Sequence, residues 1–382
     1  MPAFSLDDLR RFPDVEAENL FAVAASDRLI LDEAASVLSS AVGSEVVVIG
    51  DRYGALTLGA ASRFGLSGIR VHQDLLTGEQ ALANNAADAK LGDSFRNLPL
   101  GEELLVGARM VLLQLPRSLS ELEQIADSIA RFAAPDVDVY AGGRIKHLTL
   151  VMNDLLSRYF GQVQATRARQ KSRVLVASRP IIPTVPPLFP VQEYLSDIDL
   201  TVCAYGGVFA GATLDVGTRF LLTFIDRVDS QATSAIDLGC GTGILAAVLA
   251  KQRPQLRVLA TDQSASAVAS AKATMAANFL ANVTVSQDAG LLSVVSASVD
   301  VILCNPPFHV GSAVHTGAAI ALFQDAGRAL KPGGQLWTVF NTHLGHQGAL
   351  GRFVGPTEVV GRNAKFTVTV STRSSPTRPQ DN

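Results

Sequence analysis

Two short motifs in the second half of the sequence combine residue types that could bind a ligand and carry out chemistry. The first, Asp237-Leu-Gly-Cys-Gly-Thr-Gly243, lies between a predicted strand and a predicted helix. Glycine lets the backbone turn sharply and lets a ligand approach closely. Its spacing is G-x-G-x-G rather than the G-x-G-x-x-G of dinucleotide-binding loops. Because a carboxylate precedes it, the loop suits a ligand with a cationic amine and a sulfonium, bound by Asp237, Gly239, Cys240, Gly241 and Gly243.

Acidic residues follow the next two predicted strands. Asp262 ends one strand, where an acid commonly bonds ribose hydroxyls, although a helix N-cap is an alternative role. Asp288-Ala289 follows the third strand, and Asp288 could accept a hydrogen bond from an adenine amine or could be a solvated loop acid. The predicted cofactor contacts therefore extend to Asp262, Asp288 and Ala289.

The second motif, Asn305-Pro-Pro-Phe308, follows another predicted strand, at the end where doubly wound sheets bind ligands. An exocyclic aromatic amine is a weak nucleophile because its lone pair conjugates with the ring. The Asn305 side-chain oxygen and the Pro306 carbonyl could accept its two hydrogens and aim the lone pair at a methyl group. Pro306 and Pro307 stiffen the loop, and Phe308 offers a flat face for stacking. The predicted catalytic residues are Asn305, Pro306, Pro307 and Phe308, with Asn305 also expected beside the cofactor.

Strand and helix patterns alternate through the second half, from the strand Ser234–Leu238 to the strand Gln335–Phe340. This alternation predicts a parallel, doubly wound sheet. At the end, Thr357–Val360 and Lys365–Val370 flank a predicted turn at Gly361–Asn363. The sheet should therefore finish with an antiparallel hairpin.

The first half repeats the same alternation. Ile49-Gly50 matches Leu238-Gly239 at an offset of 189, Asp74 matches Asp262 at 188, and Pro116 matches Pro306 at 190. These three landmarks predict an internal duplication, although any two doubly wound domains share such a rhythm. The predicted fold class is α/β, with two tandem Rossmann-like domains whose sheets each end in an antiparallel hairpin.

The first half lacks both chemical motifs. Gly50-Asp-Arg-Tyr-Gly54 places Arg52 and Tyr53 where the glycine loop must be bare, and Leu115-Pro-Arg-Ser118 replaces the Asn305 motif. We therefore expect this degenerate half to bind neither the cofactor nor the target amine. Binding of another nucleotide in its own way is the alternative.

A basic segment occupies the end of the first half. Between Arg144 and Arg179 there are eight basic residues and one acid, Asp154, in a chain whose net charge is −3. Such a local concentration is typical of a phosphate-contacting surface, and a solvated basic face is the alternative. The predicted RNA-binding residues are Arg144, Lys146, Arg167, Arg169, Lys171 and Arg173.

Length and composition predict two folded domains, because the 382 residues include 48% hydrophobic and only 18% charged residues. The predicted bounds are a domain at 1–179, a Pro-rich linker at 180–190, a catalytic domain at 191–371 and a polar tail at 372–382. The three cysteines have no metal-ligand spacing, so neither a disulfide framework nor a metal site is expected. Without an apolar leader or membrane-length run, a cytoplasmic monomer is the expected form.

The motifs together resemble those of the bacterial two-domain ribosomal RNA guanine-N2 methyltransferases, and the resemblance covers most of the chain. It rests on Leu214-Asp-Val-Gly-Thr218, Asp237 to Gly243, Asn305-Pro-Pro-Phe-His309, Lys331-Pro-Gly-Gly334, Lys365-Phe-Thr-Val368, Leu115-Pro-Arg-Ser118, Gly143-Arg-Ile-Lys-His147 and Ala168-Arg-Gln-Lys-Ser-Arg173. The phrases in the first half are closer to the large-subunit enzyme. The resemblance implies two methyltransferase domains with the first inactive, S-adenosylmethionine as methyl donor and ribosomal RNA as partner. One departure is Asn341-Thr-His-Leu-Gly-His346, where the family often has Asn followed by aromatic and proline residues.

Other interpretations of the same residues stay open. A glutamine side-chain amide is also a planar, deactivated nitrogen, and similar protein methyltransferases use an Asn-Pro-Pro-aromatic motif. The basic segment and the duplicated domain favour RNA, with small-subunit RNA as the alternative substrate. A non-enzymatic RNA-binding factor and a nicotinamide-dependent oxidoreductase are less consistent with the two motifs.

Overall fold

The chain divides into two compact units, Met1–Phe189 and Pro190–Asn382. The structure is a computed structural model that describes residues 4–306 and 314–374. The Pro-rich segment predicted as a linker falls at this division, and its first residue, Pro180, ends a strand. In the described part of the chain, no helix is both long enough and apolar enough to cross a bilayer.

The first unit consists of a seven-stranded sheet with helices on both faces. Its strands are β1 (Val46–Ile49), β2 (Ile69–His72), β3 (Phe95–Asn97), β4 (Met110–Gln114), β5 (Asp138–Arg144), β6 (Phe160–Ala165) and β7 (Ser172–Pro180). Its α-helices are α1 (Ala25–Glu33), α2 (Ala35–Leu38), α3 (Ala55–Phe64), α4 (Leu76–Ala89), α5 (Glu102–Leu105), α6 (Leu119–Phe132) and α7 (Leu150–Tyr159).

The second unit adds a two-stranded hairpin before a sheet of the same size. Its strands are β8 (Val191–Leu195), β9 (Leu200–Ala204), β10 (Ser234–Leu238), β11 (Arg257–Asp262), β12 (Val283–Gln287), β13 (Val299–Cys304), β14 (Leu330–Asn341), β15 (Thr357–Arg362) and β16 (Phe366–Thr372). Its α-helices are α8 (Val216–Leu222), α9 (Ile244–Gln252), α10 (Ala265–Ala277), α11 (Val314–Ala329) and α12 (Gln347–Phe353).

The two large sheets have the same topology. Their strand orders are β3-β2-β1-β4-β5-β7-β6 and β12-β11-β10-β13-β14-β16-β15. In each sheet the first five strands are parallel, and the last two run antiparallel to their neighbours. The predicted fold class, two doubly wound sheets each closed by an antiparallel hairpin, is confirmed. Strand β14 begins at Leu330, earlier than the predicted strand Gln335–Phe340, so it includes the Lys331–Gly334 segment.

Strand register corrects two of the three landmarks that predicted the duplication. Ile49 pairs with His72 and Leu238 pairs with Thr261, so the offset stays 189 and Gln73, not Asp74, matches Asp262. On the other side Ile49 pairs with Leu113 and Leu238 pairs with Cys304, an offset of 191. The residue that matches Asn305 is therefore Gln114.

Each large sheet is buried on both faces, which explains the apolar runs in its central strands. In β1, Val46 and Val48 belong to one apolar cluster, while Val47 and Ile49 belong to the cluster on the opposite face. The second unit repeats this arrangement around β10 and β13. The carboxyl ends of the central strands are therefore held on a rigid layer, which is where the candidate site lies.

Polar side chains on one face of α10 hold strand β9. Ser270, Thr274 and Asn278 recur every four residues and so lie on the same side of the helix. The Ser270 hydroxyl accepts from the Tyr205 N–H, the Thr274 hydroxyl from the Cys203 N–H, and Asn278 bonds both the N–H and the carbonyl of Thr201. This ladder fixes the start of the segment that leads from β9 to α8.

Replacing Thr274 with valine tests this ladder. Thr274→Val keeps the side-chain volume but leaves the buried Cys203 N–H without its acceptor, so the free energy of unfolding should fall by about 1–3 kcal/mol. Urea denaturation followed by circular dichroism measures the change. The control Thr284→Val lies on an exposed position of β12 and should change stability by less than about 0.5 kcal/mol. Equal stability of Thr274→Val and the wild type would contradict a structural role for the ladder.

Candidate active site

The glycine loop after β10 has a left-handed backbone at each of its three glycines. The φ angles are 73° at Gly239, 54° at Gly241 and 79° at Gly243. A Cβ atom at Gly239 or Gly241 would meet no described atom within 4 Å, so the backbone there borders open space. At Gly243 a Cβ atom would lie 2.9 Å from Met275 Cε and 3.1 Å from Ala271 Cβ, so a side chain there would crowd the close approach of α9 to α10. Two glycines thus leave room for a ligand and the third allows helix packing.

The loop uses its backbone N–H groups internally. The N–H groups of Gly239 and Cys240 both donate to the Thr261 carbonyl at 2.9 Å, and the Gly241 N–H donates to Asp262 Oδ2 at 3.0 Å. At the start of α9 the Ala246 N–H donates to Asp237 Oδ2 at 2.9 Å. Because the N–H groups of Gly239, Cys240 and Gly241 are already engaged, they are not offered to a phosphate.

Asp237 is an unusual carboxyl group because it is almost completely buried. Its exposed fraction is 1%, and its Oδ1 atom has no hydrogen-bond partner among the described residues. The pKa of Asp237 is raised to about 7, mainly by burial and also by the nearby Asp262, while the hydrogen bond from the Ala246 N–H opposes the rise. A cationic group brought close to this carboxyl would favour its charged form.

Asp262 and Asp288 lie beside the loop, and Asp262 is not the N-cap residue of the helix that follows it. Asp262 accepts from the Gly241 and Ser264 N–H groups, while the Ser264 hydroxyl is the N-cap of α10. Asp288 is buried and accepts from the N–H groups of Leu292 and Ser293. The expected contacts of Asp262 with ribose and of Asp288 and the half-buried Ala289 with adenine stay predictions.

Asn305 follows β13, directly beside the glycine loop, because Cys304 pairs with Leu238. Its Nδ2 atom donates to Asp215 Oδ2 at 3.0 Å and to Thr218 Oγ1 at 2.9 Å. Its Oδ1 atom is buried and has no hydrogen-bond partner within the described part of the chain. The carboxamide therefore has both hydrogens engaged and an acceptor available.

The rest of the predicted catalytic motif is described only in part. Pro306 is buried at the end of the strand. Pro307 and Phe308 lie outside the described residues, so the predicted stiffening and stacking there stay predictions. The three cysteines, including Cys240 in the loop, are buried and free. Across residues 4–306 and 314–374, no three His, Cys, Asp or Glu side chains are grouped to hold a metal ion.

Sequence reasoning missed Asp215 and Thr218 as site residues. Leu214–Thr218 was noted only as part of the family resemblance, whereas the structure brings both side chains onto Asn305. Asp215 is the N-cap of α8, with its Oδ2 accepting from the Thr218 N–H at 3.0 Å. Asp is a favoured N-cap residue, so an Asp shortly before the apolar residues Phe220 to Leu222 indicates a helix start and was the available signal.

The matching loop of the first unit keeps the backbone of the glycine loop with different side chains. Gly50, Arg52 and Gly54 have φ angles of 77°, 61° and 99°, the same left-handed pattern as the glycines of the second unit. Arg52 thus stands where Gly241 leaves open space. The Asp51 carboxylate accepts hydrogen bonds from the N–H groups of Leu56 and Thr57 and so occupies the N-terminus of α3.

Gln114, rather than the predicted Leu115–Ser118 motif, occupies the position of Asn305 in the first unit. Its Nε2 donates to Asp27 Oδ1 and to Ser26 Oγ, and its Oε1 accepts from the Ser26 hydroxyl. Burial and the nearby Asp51 raise the pKa of Asp27 to about 8. Because both ends of the Gln114 carboxamide are engaged, this unit offers no available amide acceptor at that position.

The predicted RNA-binding residues are all exposed, and some of them converge. Arg144, Lys146 and Lys171, with Gln170, line a depression of about 290 Å³ beside the ends of β5 and β7. Partial burial, and then the nearby cations Arg117, Lys146 and Arg144, lower the pKa of His147. We call Arg144, Lys146 and Lys171 the basic cluster.

The other three predicted cations lie around the basic cluster. Arg169 forms ion pairs with Asp32 at 3.6 Å and with Glu33 at 3.4 Å, so its charge is partly balanced. Arg167 and Arg173 are exposed near the turn that carries Lys171. Nothing in the sequence distinguishes the six cations as RNA-binding residues. The structure distinguishes Arg169, because its charge is paired with two carboxylates.

Comparisons with known proteins agree with this architecture. Residues 199–370 match the family described as "Methyltransferase small domain", and residues 2–180 match the family described as "RLMG N-terminal domain". The solved structure of the T. thermophilus 16S rRNA N2 G1207 methyltransferase, in complex with AdoMet and guanosine, has the same fold. That structure aligns with a TM-score of 0.71 and 21% identity over 90% of this chain and 92% of its own.

Two curated relatives extend the match over nearly the whole chain. Ribosomal RNA large subunit methyltransferase G of Streptomyces avermitilis is 35% identical, with 94% of this chain and 95% of the relative covered. The protein of the same name from Pseudomonas paraeruginosa is 34% identical, with 96% and 99% covered. The chain therefore belongs to the ribosomal RNA large subunit methyltransferase G family and is an S-adenosylmethionine-dependent methyltransferase.

Proposed function

We propose that this protein transfers a methyl group from S-adenosylmethionine to the exocyclic N2 amine of a guanosine in large-subunit ribosomal RNA. The observation that carries the proposal is Asn305, whose buried Oδ1 atom is available while both hydrogens of its amide are engaged. The names of the curated relatives support ribosomal RNA as the substrate. The solved T. thermophilus neighbour is an N2 methyltransferase in complex with guanosine, which supports the choice of amine.

The glycine loop and the two acids beside it suit the methyl donor. Gly239 and Gly241 border open space, so the donor could lie against their backbone. The buried Asp237 favours a cationic partner, and Asp262, which lies beside the loop, is the acid that we assign to the ribose. When bound there, S-adenosylmethionine supplies an electrophilic methyl group on a cationic sulfur.

The chain's own part in the reaction is to hold the amine. Asn305 Oδ1 accepts one hydrogen of the N2 amine, which draws the nitrogen towards a pyramidal geometry and frees its lone pair. The buried Pro306, just after the strand, limits the motion of this acceptor. Positioning of this kind needs no strong general base, because the amine proton becomes acidic once the nitrogen carries the methyl group.

The proposal is tested with radiolabelled S-adenosylmethionine and protein-free large-subunit or small-subunit ribosomal RNA. After digestion to nucleosides, N2-methylguanosine should appear from large-subunit RNA. Label in small-subunit RNA alone would contradict the choice of substrate. Label in a glutamine-containing protein, with none in either RNA, would replace the proposal with protein methylation.

Asn305→Ala tests the acceptor role directly. Without the acceptor oxygen, the single-turnover rate constant should fall on the order of 100-fold to 1000-fold. The Kd for S-adenosylmethionine, measured by calorimetry, should stay within about threefold, because the glycine loop is unchanged. Asn84→Ala, at an exposed position of α4, is the matched control and should keep the wild-type rate. A wild-type rate in Asn305→Ala would remove Asn305 from the mechanism.

Asp237 makes cofactor affinity depend on pH. The ionised carboxyl attracts the cationic donor, and its pKa is about 7, so affinity should rise as the pH rises through that value. Between pH 6 and 7.5 we expect about an eightfold gain, over a range where the donor's own amine stays mostly protonated. Asp237→Asn should flatten this dependence, while Asp226→Asn, at an exposed acid, should retain it. A pH profile that Asp237→Asn leaves unchanged would assign the titration to another group.

The basic cluster supplies a test of RNA contact. Arg144→Glu combined with Lys171→Glu should weaken binding of large-subunit RNA and reduce the slope of log affinity against log salt by about 2. The control, Arg96→Glu with Lys272→Glu, changes the net charge equally but at exposed positions outside the cluster. Fluorescence anisotropy over a salt series measures both. Identical slopes for the two double variants would mean that the cluster does not contact phosphates.

A further inference from the structure

The direction of the Asn305 carboxamide is fixed by its two neighbours. A primary amide has two N–H donors on its nitrogen and an acceptor on its oxygen. Asp215 Oδ2 and Thr218 Oγ1 take the two donors at 3.0 Å and 2.9 Å. Since a carboxylate can only accept, rotating the amide by half a turn would place its oxygen against the Asp215 oxygen. The flipped orientation is therefore unfavourable.

Asp215 and Thr218 are themselves held by the start of α8. Asp215 Oδ2 accepts from the Thr218 N–H at 3.0 Å and from Asn305 Nδ2, so one oxygen joins the helix start to the strand end. Gly217 permits this approach. A Cβ atom there would lie 3.1 Å from Asp215 Oδ2, 3.2 Å from Phe366 Cε1 and 3.5 Å from Asn305 Nδ2.

We propose that Asp215 and Thr218 are positioning residues that keep the Asn305 oxygen turned towards the target amine. The inference rests on the proposed function, because it assigns Asn305 as the acceptor of an amine hydrogen. Neither residue need touch the RNA. Without them the amide samples both orientations, and in one of these its N–H groups would face the N–H groups of the amine.

Thr218→Val is the first variant. It preserves the shape of the side chain and the backbone N–H that bonds Asp215, but it removes the hydroxyl that accepts from Asn305. The single-turnover rate constant should fall by about 10-fold to 100-fold with little change in the Kd for S-adenosylmethionine. Thr218→Ser restores the hydroxyl and should recover most of the rate. Thr223→Val, whose exposed hydroxyl bonds the Phe220 carbonyl, is the matched control and should match the wild type.

A double-mutant cycle separates positioning from general damage to the fold. If Thr218 acts through Asn305, adding Thr218→Val to Asn305→Ala should lower the residual rate no further, so the two effects are not additive. Asp215→Asn, which removes the charge that opposes the flipped amide, should behave in the same way. It serves as the second variant if Thr218→Val lowers the melting temperature. Full activity in both variants, or an equal loss with and without the Asn305 side chain, overturns the proposal.

The outcomes also distinguish this inference from the proposed function. N2-methylguanosine formed at the wild-type rate by Thr218→Val and Asp215→Asn, with Asn305→Ala impaired, overturns positioning alone. Label found on a glutamine amide instead of RNA overturns the proposed function, and the same cycle measured on that product then decides the positioning role. A wild-type protein that methylates neither RNA nor protein overturns both.

Discussion

The activity proposed for the second unit depends on one constraint, which is the orientation of the Asn305 side-chain amide. An asparagine at the end of β13 has no preferred orientation of its own, and its two ends have opposite hydrogen-bonding character. Asp215 and Thr218 remove this ambiguity from a position about 90 residues earlier in the chain. Three further features support this contact. Gly217 has no side chain to obstruct it, α8 packs near Phe366, and the ladder between α10 and β9 holds the preceding strand.

The comparison of the two units separates fold from chemistry. Both have the same strand order, and both have left-handed residues at the same three loop positions. In the second unit this backbone borders open space and an available amide oxygen. In the first unit Asp51 fills the helix end, and Asp27 and Ser26 engage the Gln114 amide. The sheet is thus a scaffold that both units keep, while the side chains at the ends of the matching strands differ.

The sequence predicted the features that depend on local pattern. Strand β10 has the predicted bounds, because an apolar run that ends at a glycine loop is a strong local signal. The closing hairpin was likewise readable from the alternation in Phe366–Val370. The match between Gln114 and Asn305 could not be predicted from the sequence. The offset between the two units changes from 189 to 191 across the central strand, and this change depends on strand register rather than on motif spacing. The ion pairs of Arg169 were also missed, since Asp32 and Glu33 lie more than 130 residues away in sequence.

The backbone conformation of Arg52 has an energetic cost in the first unit. An arginine gains nothing from a left-handed backbone, which costs about 1–2 kcal/mol relative to the right-handed form. The position is left-handed because the strand, the helix and the flanking glycines require it. Glycine adopts such a turn without this cost, and the second unit has Gly241 at the matching position. The loop of the first unit therefore carries a conformational strain that the glycine loop of the second unit does not.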